Sequence, residues 1–475
     1  MADRSLPLVV DLDGTLTPTD TLAESLVGLV KRSPLSLLQV PFRLLNGRAD
    51  FKDWVAARSG VSAERLPYRE ALVSYLRGEK QQGRRIVLAT AAHRSIAEGV
   101  SAHLGLFDEV LATQAGRNLK GEAKLEAIRA KLGGEFVYAG DSRADRAIWK
   151  ASKAAVLVGV APGVAEAVRR EVPVEREFAA ERGGLAAWLR AFRVHQWLKN
   201  LLLFVPLLTA FSFLDVWKLV TTLIAFFAFS FAASASYVFN DLWDLDNDRA
   251  HPRKRLRPFA SGRIPIAQGV VAALVSLAVA LALASAVSRS FLLMLLLYLA
   301  ITSAYSWLLK ERALIDVLTL SLLYTLRILA GSVAIGIPSS SWQLAFSAFI
   351  FLSLALVKRC AELVSLEQSG QASAPGRDYR VADLAVLWPL GVGSALSAVV
   401  VFGLFISTDE TRARYATPEL LWLVALGLVY WLARLWIKTS RGRMDDDPLV
   451  YAVTDSGSLM AVSFMVAVTL IAHFY

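Results

Sequence analysis

Along the first ~185 residues, apolar positions come in short runs that end on polar groups. "LPLVV" runs into Asp11, "RRIVLA" into Thr90 and "EFVYAG" into Asp141. Each run reads as a buried strand, and the helical stretches between them predict a parallel sheet. From about Trp197 onward the pattern changes: apolar runs of roughly 18–24 residues recur, each long enough to cross a bilayer. The chain is therefore expected to be a soluble α/β head, residues 1–185, followed by an all-α integral membrane body, residues 186–475.

Hydropathy predicts about nine spans. They lie near 197–214, 216–239, 266–287, 291–309, 314–336, 342–362, 383–407, 417–437 and 455–474. Alternate connections carry the basic clusters: Arg253 to Arg257, Lys310 with Arg312, Lys358 with Arg359, and Lys438 to Arg443. The opposite connections, such as "IGIPSSS", are nearly free of them; only "TDETRARY" carries two arginines. Basic connections stay on the cytoplasmic side. That predicts an inner or plasma membrane protein with the head cytoplasmic and the C-terminus outside.

Composition sharpens this picture. The formal net charge is +10. The excess sits beside spans, so it argues for membrane orientation and against a nucleic-acid partner. A single cysteine, Cys360, excludes an internal disulfide. The start, "MADRSLPLVVDLDG", lacks an apolar signal core and predicts no export. The five histidines are scattered, which speaks against a zinc site. Residues 367–378, "EQSGQASAPGRD", read as a flexible loop, and "REVPVEREFAAERGG" as a last strand and linker.

In the head, ligands of a parallel sheet sit at the carboxyl ends of its strands. That edge collects Asp11 and Asp13, Thr90, Lys124 of "KGEAK", and Asp141 with Asp145 of "GDSRAD". A carboxylate can attack phosphorus, and the acid two residues later shares its face of an extended chain, where it can move the proton. Threonine and lysine suit phosphate oxygens, and further carboxylates suit Mg²⁺. In these motifs residues 1 to about 180 resemble the haloacid dehalogenase superfamily of phosphatases. The resemblance implies a Rossmann-like domain with a helical cap at about 18–85. It also implies Asp11 as nucleophile and Asp13 as general acid/base, Thr90 and Lys124 as phosphate binders, and Mg²⁺ held by Asp11, the Asp13 carbonyl, Asp141 and Asp145. Within the cap, "SPLSLLQVPFRLLNGR" reads either as cap core or as a face lying on the membrane.

The membrane body carries its own cluster. "NDLWDLDND" places Asn240, Asp241, Asp244 and Asp248 at helical spacing at a span end, so the carboxylates can face one volume. A divalent cation carrying a diphosphate would relieve their repulsion, and "PRKRLRP" follows with cations for phosphate oxygens. Tyr305, Lys310 and Asp316 gather near another connection on that side, and Arg327 lies inside a span, where an ionisable residue is costly. Residues ~190–475 resemble the UbiA superfamily of intramembrane transferases, whose "NDxxDxxxD" signature matches in full. The second "DxxxD" motif of the quinone-type members is missing. With "HQWLKNLLLFVPL", "RILAGSVAIGIP" and "VKRCAEL", this departure is more similar to the decaprenyl-phosphate phosphoribosyltransferase branch. That resemblance implies Mg²⁺ at Asn240, Asp241, Asp244 and Asp248. It adds phosphate contacts from Lys199, Lys254, Arg257, Tyr305, Lys310 and Arg327.

The two resemblances together predict a bifunctional enzyme. The body would move 5-phosphoribosyl from phosphoribosyl pyrophosphate to a polyprenyl phosphate, and the head would remove the 5-phosphate. The alternative is a UbiA-type transfer of a prenyl group from its diphosphate to an aromatic or other acceptor, with an accessory phosphatase. A transporter and a head that only senses or docks phosphate are further readings. The oligomeric state stays open, a homo-oligomer included.

Overall fold

The computed structural model describes residues 5–45, 47–114, 118–180, 183–373, 377–444 and 447–475, without the side chains of residues 48, 410, 449 and 453. Parts of the expected signal-free start (1–4), linker (181–182) and flexible loop (374–376) lie outside the described residues. The chain divides into two compact units, Met1–Phe192 with Tyr237–Leu274, and Arg193–Ser236 with Val275–Tyr475.

The first unit is built on six strands: β1 Leu8–Val10, β2 Ile86–His93, β3 Glu109–Thr113, β4 Val137–Gly140, β5 Ala154–Val158 and β6 Val174–Phe178. Their order is β3-β2-β1-β4-β5-β6, and every pairing is parallel. Side chains alternate between two cores. Leu8, Val10, Ile86, Leu88, Val137 and Ala139 enter one; Val9, Val87, Ala89 and Tyr138 join Trp149 and Ile128 in the other. Burying a Val or Leu is worth about 1.5–3 kcal/mol, so a one-residue slip, which exchanges the faces, is strongly disfavoured. The order reverses between β1 and β4, where Asp11 and Asp141 leave the sheet.

Helices Thr21–Arg32 and Arg48–Ser59 pack around Leu29, Phe51, Trp54 and Val55. The first is capped by the Asp20 carboxylate, which accepts from the N–H groups of Leu22 and Ala23. A 3₁₀ turn, Pro34–Gln39, and a short helix, Val40–Leu45, connect them. Helix Glu70–Gln81, also within the stretch expected as cap, buries Leu72, Val73 and Leu76 on the sheet. Tyr237–Leu274 contributes the end of a long helix, Val216–Trp243, then helix Leu245–Ala250 and 3₁₀ turn Lys254–Leu256. Val238, Leu242, Leu245, Phe259 and Ile264 share a core with Ala187 and Ala191.

Among the described residues, eight helical segments are long and apolar enough to span a bilayer. They are Val216–Trp243, Ile266–Val287, Arg289–Leu309, Ile315–Ile335, Ser341–Gln368, Val381–Ile406, Pro418–Ser440 and Ser456–Phe474. This is a multi-pass membrane protein, with eight such helices against the nine or so expected. The segment expected at 197–214 takes another form: a 3₁₀ helix, Val194–Phe204, leads into the short helix Val205–Thr209. Its polar residues are held inside the unit: Asn200 is buried and donates to Ser230 at 3.0 Å, and Lys199 pairs with Asp447.

Candidate active sites

The head site starts from the turn after β1. Gly14 has φ of +79°, and a Cβ there would collide with the Asp141 carboxylate, so glycine lets the turn take this conformation with that carboxylate lying against it. The turn presents Asp11, whose carboxylate accepts from the Leu12 N–H at 2.8 Å and meets Lys124 Nζ at 2.9 Å. Lys124 also donates to Tyr138 OH at 3.1 Å, and Tyr138 donates to Asp145 at 2.9 Å. Asp145 is fixed further by Ser142, whose N–H and hydroxyl both reach it, at 3.2 and 3.1 Å.

Electrostatics divides the roles of the two turn acids. Burial raises the Asp11 pKa although Lys124 opposes it. Burial would lower Lys124, but the charges of Asp11 and Asp145 outweigh it and hold the ammonium above its usual range. Asp13 is pushed up to about 7, first by burial and then by Asp20, against hydrogen bonds from the Thr21 N–H and side chain. A carboxyl that titrates near neutrality can give a proton and take it back. Carboxylate oxygens of Asp11, Asp141 and Asp145 lie within 4.8 Å of one another, a hard-oxygen donor set that fits Mg²⁺.

Asp11, Asp13, Lys124, Asp141 and Asp145 open on one cavity of about 770 Å³. Thr90 stands just behind its wall, fully buried, with Oγ1 accepting from the Ala92 N–H at 2.9 Å. Four more cations line the cavity: Lys52, Arg69, Lys120 and Arg263. Lys52 donates to the Ala91 carbonyl at 2.6 Å and to Asn118 at 2.9 Å; Arg69 donates to the Gly14 carbonyl at 3.2 Å. Lys120 opens the "KGEAK" motif, but sequence motifs missed Lys52, Arg69 and Arg263, because they come from separate segments that only the fold brings to one wall.

The acidic motif also lies in the first unit. The long helix breaks at Asp244 and resumes at Leu245, with backbone bonds from Asp244 to Asn240 and from Asp248 to Asp244. Asp241 and Asp248 are buried and share one partner: Arg257 Nη1 reaches them at 3.1 and 2.7 Å. Asn240 and Asp244 are half-buried, and Lys254 is exposed. An amide and carboxylates are donor types that a divalent cation takes, but among the described residues only Asp11, Asp141 and Asp145 bring three carboxylates within 4.8 Å; here Arg257 balances two of the charges. Arg249, next to Asp248, forms a buried two-pronged pair with Glu24 of helix Thr21–Arg32, at 2.6 and 3.1 Å.

Residues 201–468 match the UbiA prenyltransferase family, more than half of the chain. The chain belongs to the UbiA prenyltransferase family. Residues 8–150 match the haloacid dehalogenase-like hydrolases, so a hydrolase-like domain is fused in front of the UbiA domain. Uncharacterized protein y4nM of Sinorhizobium fredii is 39% identical over 98% of this chain and 92% of its own length. Nodulation protein NoeC of Azorhizobium caulinodans is 37% identical over 58% of this chain and 89% of its own. Decaprenyl-phosphate phosphoribosyltransferase of Mycobacterium tuberculosis is 36% identical over 46% of this chain and 74% of its own.

The remaining UbiA-domain candidates lie in the second unit. Lys199 forms an ion pair with Asp447 and stands over the Tyr324 ring at 6.0 Å. Arg327 is buried and already engaged: it donates to Asn200 at 2.9 Å, the Leu323 carbonyl at 2.6 Å and Tyr298 at 3.0 Å. These contacts make Arg327 a brace for the turn that carries Lys199. Tyr305 opens a π-helical turn, Tyr305–Leu309, and half-buried Lys310 follows it. Below it, buried Asp316 accepts from Arg359 and Tyr379, both at 2.5 Å. The sequence marks Asp316 and Arg359 separately but not their pairing, since Arg359 and Tyr379 lie 43 and 63 residues from Asp316 in the chain.

Proposed function

We propose that the UbiA domain transfers 5-phosphoribosyl from phosphoribosyl pyrophosphate to a polyprenyl phosphate, and that the head then removes the 5-phosphate. In the first step a phosphate oxygen of the lipid attacks the anomeric carbon, and the bond from that carbon to pyrophosphate breaks. Asn240, Asp241, Asp244 and Asp248 would hold Mg²⁺, which supplies charge neutralisation for the diphosphate. Arg257, released from Asp241 and Asp248, and Lys254 would take phosphate oxygens. Lys199, Tyr305 and Lys310 are further phosphate contacts in this reading, with Arg327 holding the Lys199 turn. Positive connections favour a cytoplasmic head.

In the second step an Asp11 oxygen attacks phosphorus and the ester bond breaks while Asp13 gives its proton to the departing sugar oxygen. Water then attacks the aspartyl-phosphate and returns a proton to Asp13. Lys124 steadies the phosphate oxygens, with Thr90 bracing the wall behind them through the Ala92 N–H, and Mg²⁺ would sit among Asp11, the Asp13 carbonyl, Asp141 and Asp145. What carries the proposal is the complete Asp11–Asp13–Lys124–Asp145 arrangement on the same chain as a UbiA domain 36% identical to a phosphoribosyltransferase.

The test is incubation of membranes with labelled phosphoribosyl pyrophosphate, polyprenyl phosphate and Mg²⁺. Lipid-extractable label is expected from the wild type and none from Asp241→Ala. An Asp11→Asn protein should make the lipid but keep its 5-phosphate. Absence of labelled lipid, with prenylation of an aromatic acid instead, would assign the diphosphate to an isoprenoid and overturn the reading.

A further inference from the structure

The connection between the two cap helices has the wrong surface for water. Among its described residues, Leu35, Leu37, Leu38, Phe42, Leu44 and Leu45 are all exposed, with Leu35 at 79%, Leu38 and Phe42 at 72% and Leu45 at 84%. Single exposed apolar residues are ordinary on protein surfaces. Six within eleven residues form a contiguous patch of the kind that marks a docking surface. Exposed Arg32 precedes it and exposed Arg43 lies within it, between Phe42 and Leu44, where Arg43 also covers the Trp54 ring at 5.6 Å.

What covers this patch follows from where its helix is anchored. Helix Thr21–Arg32 runs directly into the patch, and two ion pairs tie it to the segment Leu245–Ala250. Lys31 reaches Asp246 at 3.2 Å, and Glu24 takes the two-pronged contact of Arg249. That segment begins two residues after the end of the span Val216–Trp243. The patch therefore starts beside the point where a span leaves the bilayer. Apolar side chains with arginines before and among them suit the boundary between acyl chains and anionic headgroups.

We infer that residues 34–45 dock into the bilayer interface and hold the head cavity where a lipid-borne phosphate ester can enter it. The docking stands on geometry; its link to substrate rests on the phosphatase reading above. The interface is the occupant, and the same patch sets the substrate class as amphiphilic esters rather than small soluble ones.

Cys360 is the only cysteine of the chain and is fully buried, so a Leu38→Cys variant carries one accessible thiol. The full-length variant, labelled there with an environment-sensitive fluorophore, is reconstituted into vesicles with anionic lipid. Quenching by shallow nitroxide-labelled lipid, with protection from aqueous iodide, is expected. Ready iodide quenching without lipid quenching overturns the docking. Protection from both quenchers means that a protein surface, such as a second copy, covers the patch, and overturns it too.

A second arm reads substrate choice. Leu38→Ser with Phe42→Ser should lower phosphate release from the lipid ester several-fold, while a soluble aryl phosphate stays within about twofold of wild type. Equal rates on both substrates, or equal losses, overturn the substrate link. If Asp11→Asn leaves phosphate release intact, the phosphatase reading fails while lipid quenching still reports the docking.

Discussion

At the scale of single residues, the head concentrates buried charge around Lys124. Its ammonium lies 2.9 Å from Asp11 and 4.0 Å from Asp145, and removing it would strip those buried carboxylates of their ion-pair partner. Lys124→Met should therefore lower kcat for phosphate release by on the order of 10²-fold or more, with KM changing less, in steady-state assays. Protons and Mg²⁺ compete for the same acids. Asp13 has its pKa raised to about 7 by burial, from 3.8, and Asp11 is raised as well. The folded head thus binds more protons than the unfolded chain between these values, so its metal-free stability falls as pH rises from about 4 to 7. Asp13 alone accounts for on the order of 4 kcal/mol of that slope. In melts of the purified protein, added Mg²⁺ should raise Tm more at pH 7.5 than at pH 5. An equal shift at both would contradict this account. The acids themselves were legible in the sequence because Asp11 and Asp141 directly follow strands and Asp13 and Asp145 stand within a few residues of them, which is local information. The cations that share the cavity were not, since Lys52, Arg69 and Arg263 meet only after folding.

At the scale of elements, helix Thr21–Arg32 links the two acidic sites of the first unit. Its first N–H holds Asp13, and one turn later Glu24 holds Arg249, the neighbour of Asp248. Thr19 adds a hydrogen bond to Glu24 at 2.7 Å, and Arg249 donates to the Ala260 carbonyl at 3.1 Å. Both charged side chains are almost fully buried, so deleting one strands the other. Arg249→Ala should cost about 3–5 kcal/mol and lower the melting transition of this unit by roughly 6–20 °C. Arg249→Met paired with Glu24→Gln should lose much less than the sum of the single changes, a coupling read in a double-mutant cycle. Additive losses would show that the pair does not act as one unit. Nothing in the local pattern announced this pair, because its partners lie 225 residues apart. The segment Val194–Phe204 shows the complementary limit: hydropathy recognised an apolar run but not that Asn200 would turn inward to meet Ser230 and Arg327.

At the scale of the whole molecule, the apolar pattern alone separated an α/β head from a membrane body. The six-stranded sheet lies before residue 180 and the eight spanning helices lie after residue 215, but Tyr237–Leu274, from the middle of the expected body, packs into the first unit. Function was legible only where chemistry is written in short motifs, and each motif names a site without naming its substrate. Having two sites on one chain makes their independence measurable. Asp241→Asn keeps an oxygen that can accept from Arg257 but removes one negative charge from the acidic motif, so the fold is expected to survive while diphosphate binding fails. The head's acids lie elsewhere in the first unit and keep their own partners. The variant should therefore make no labelled lipid, yet hydrolyse a soluble aryl phosphate within about twofold of wild type, as expected for separate sites. Asp11→Asn should give the reverse, accumulating lipid that carries the 5-phosphate. When Asp241→Asn and Asp11→Asn proteins are mixed in one membrane, the dephosphorylated lipid should reappear, since product made by one molecule can diffuse to the head of another. At low protein density that recovery should slow relative to wild type, because the wild-type chain keeps its second site at high effective concentration. Equal rates at every density would mean that fusion brings no kinetic advantage to the second step.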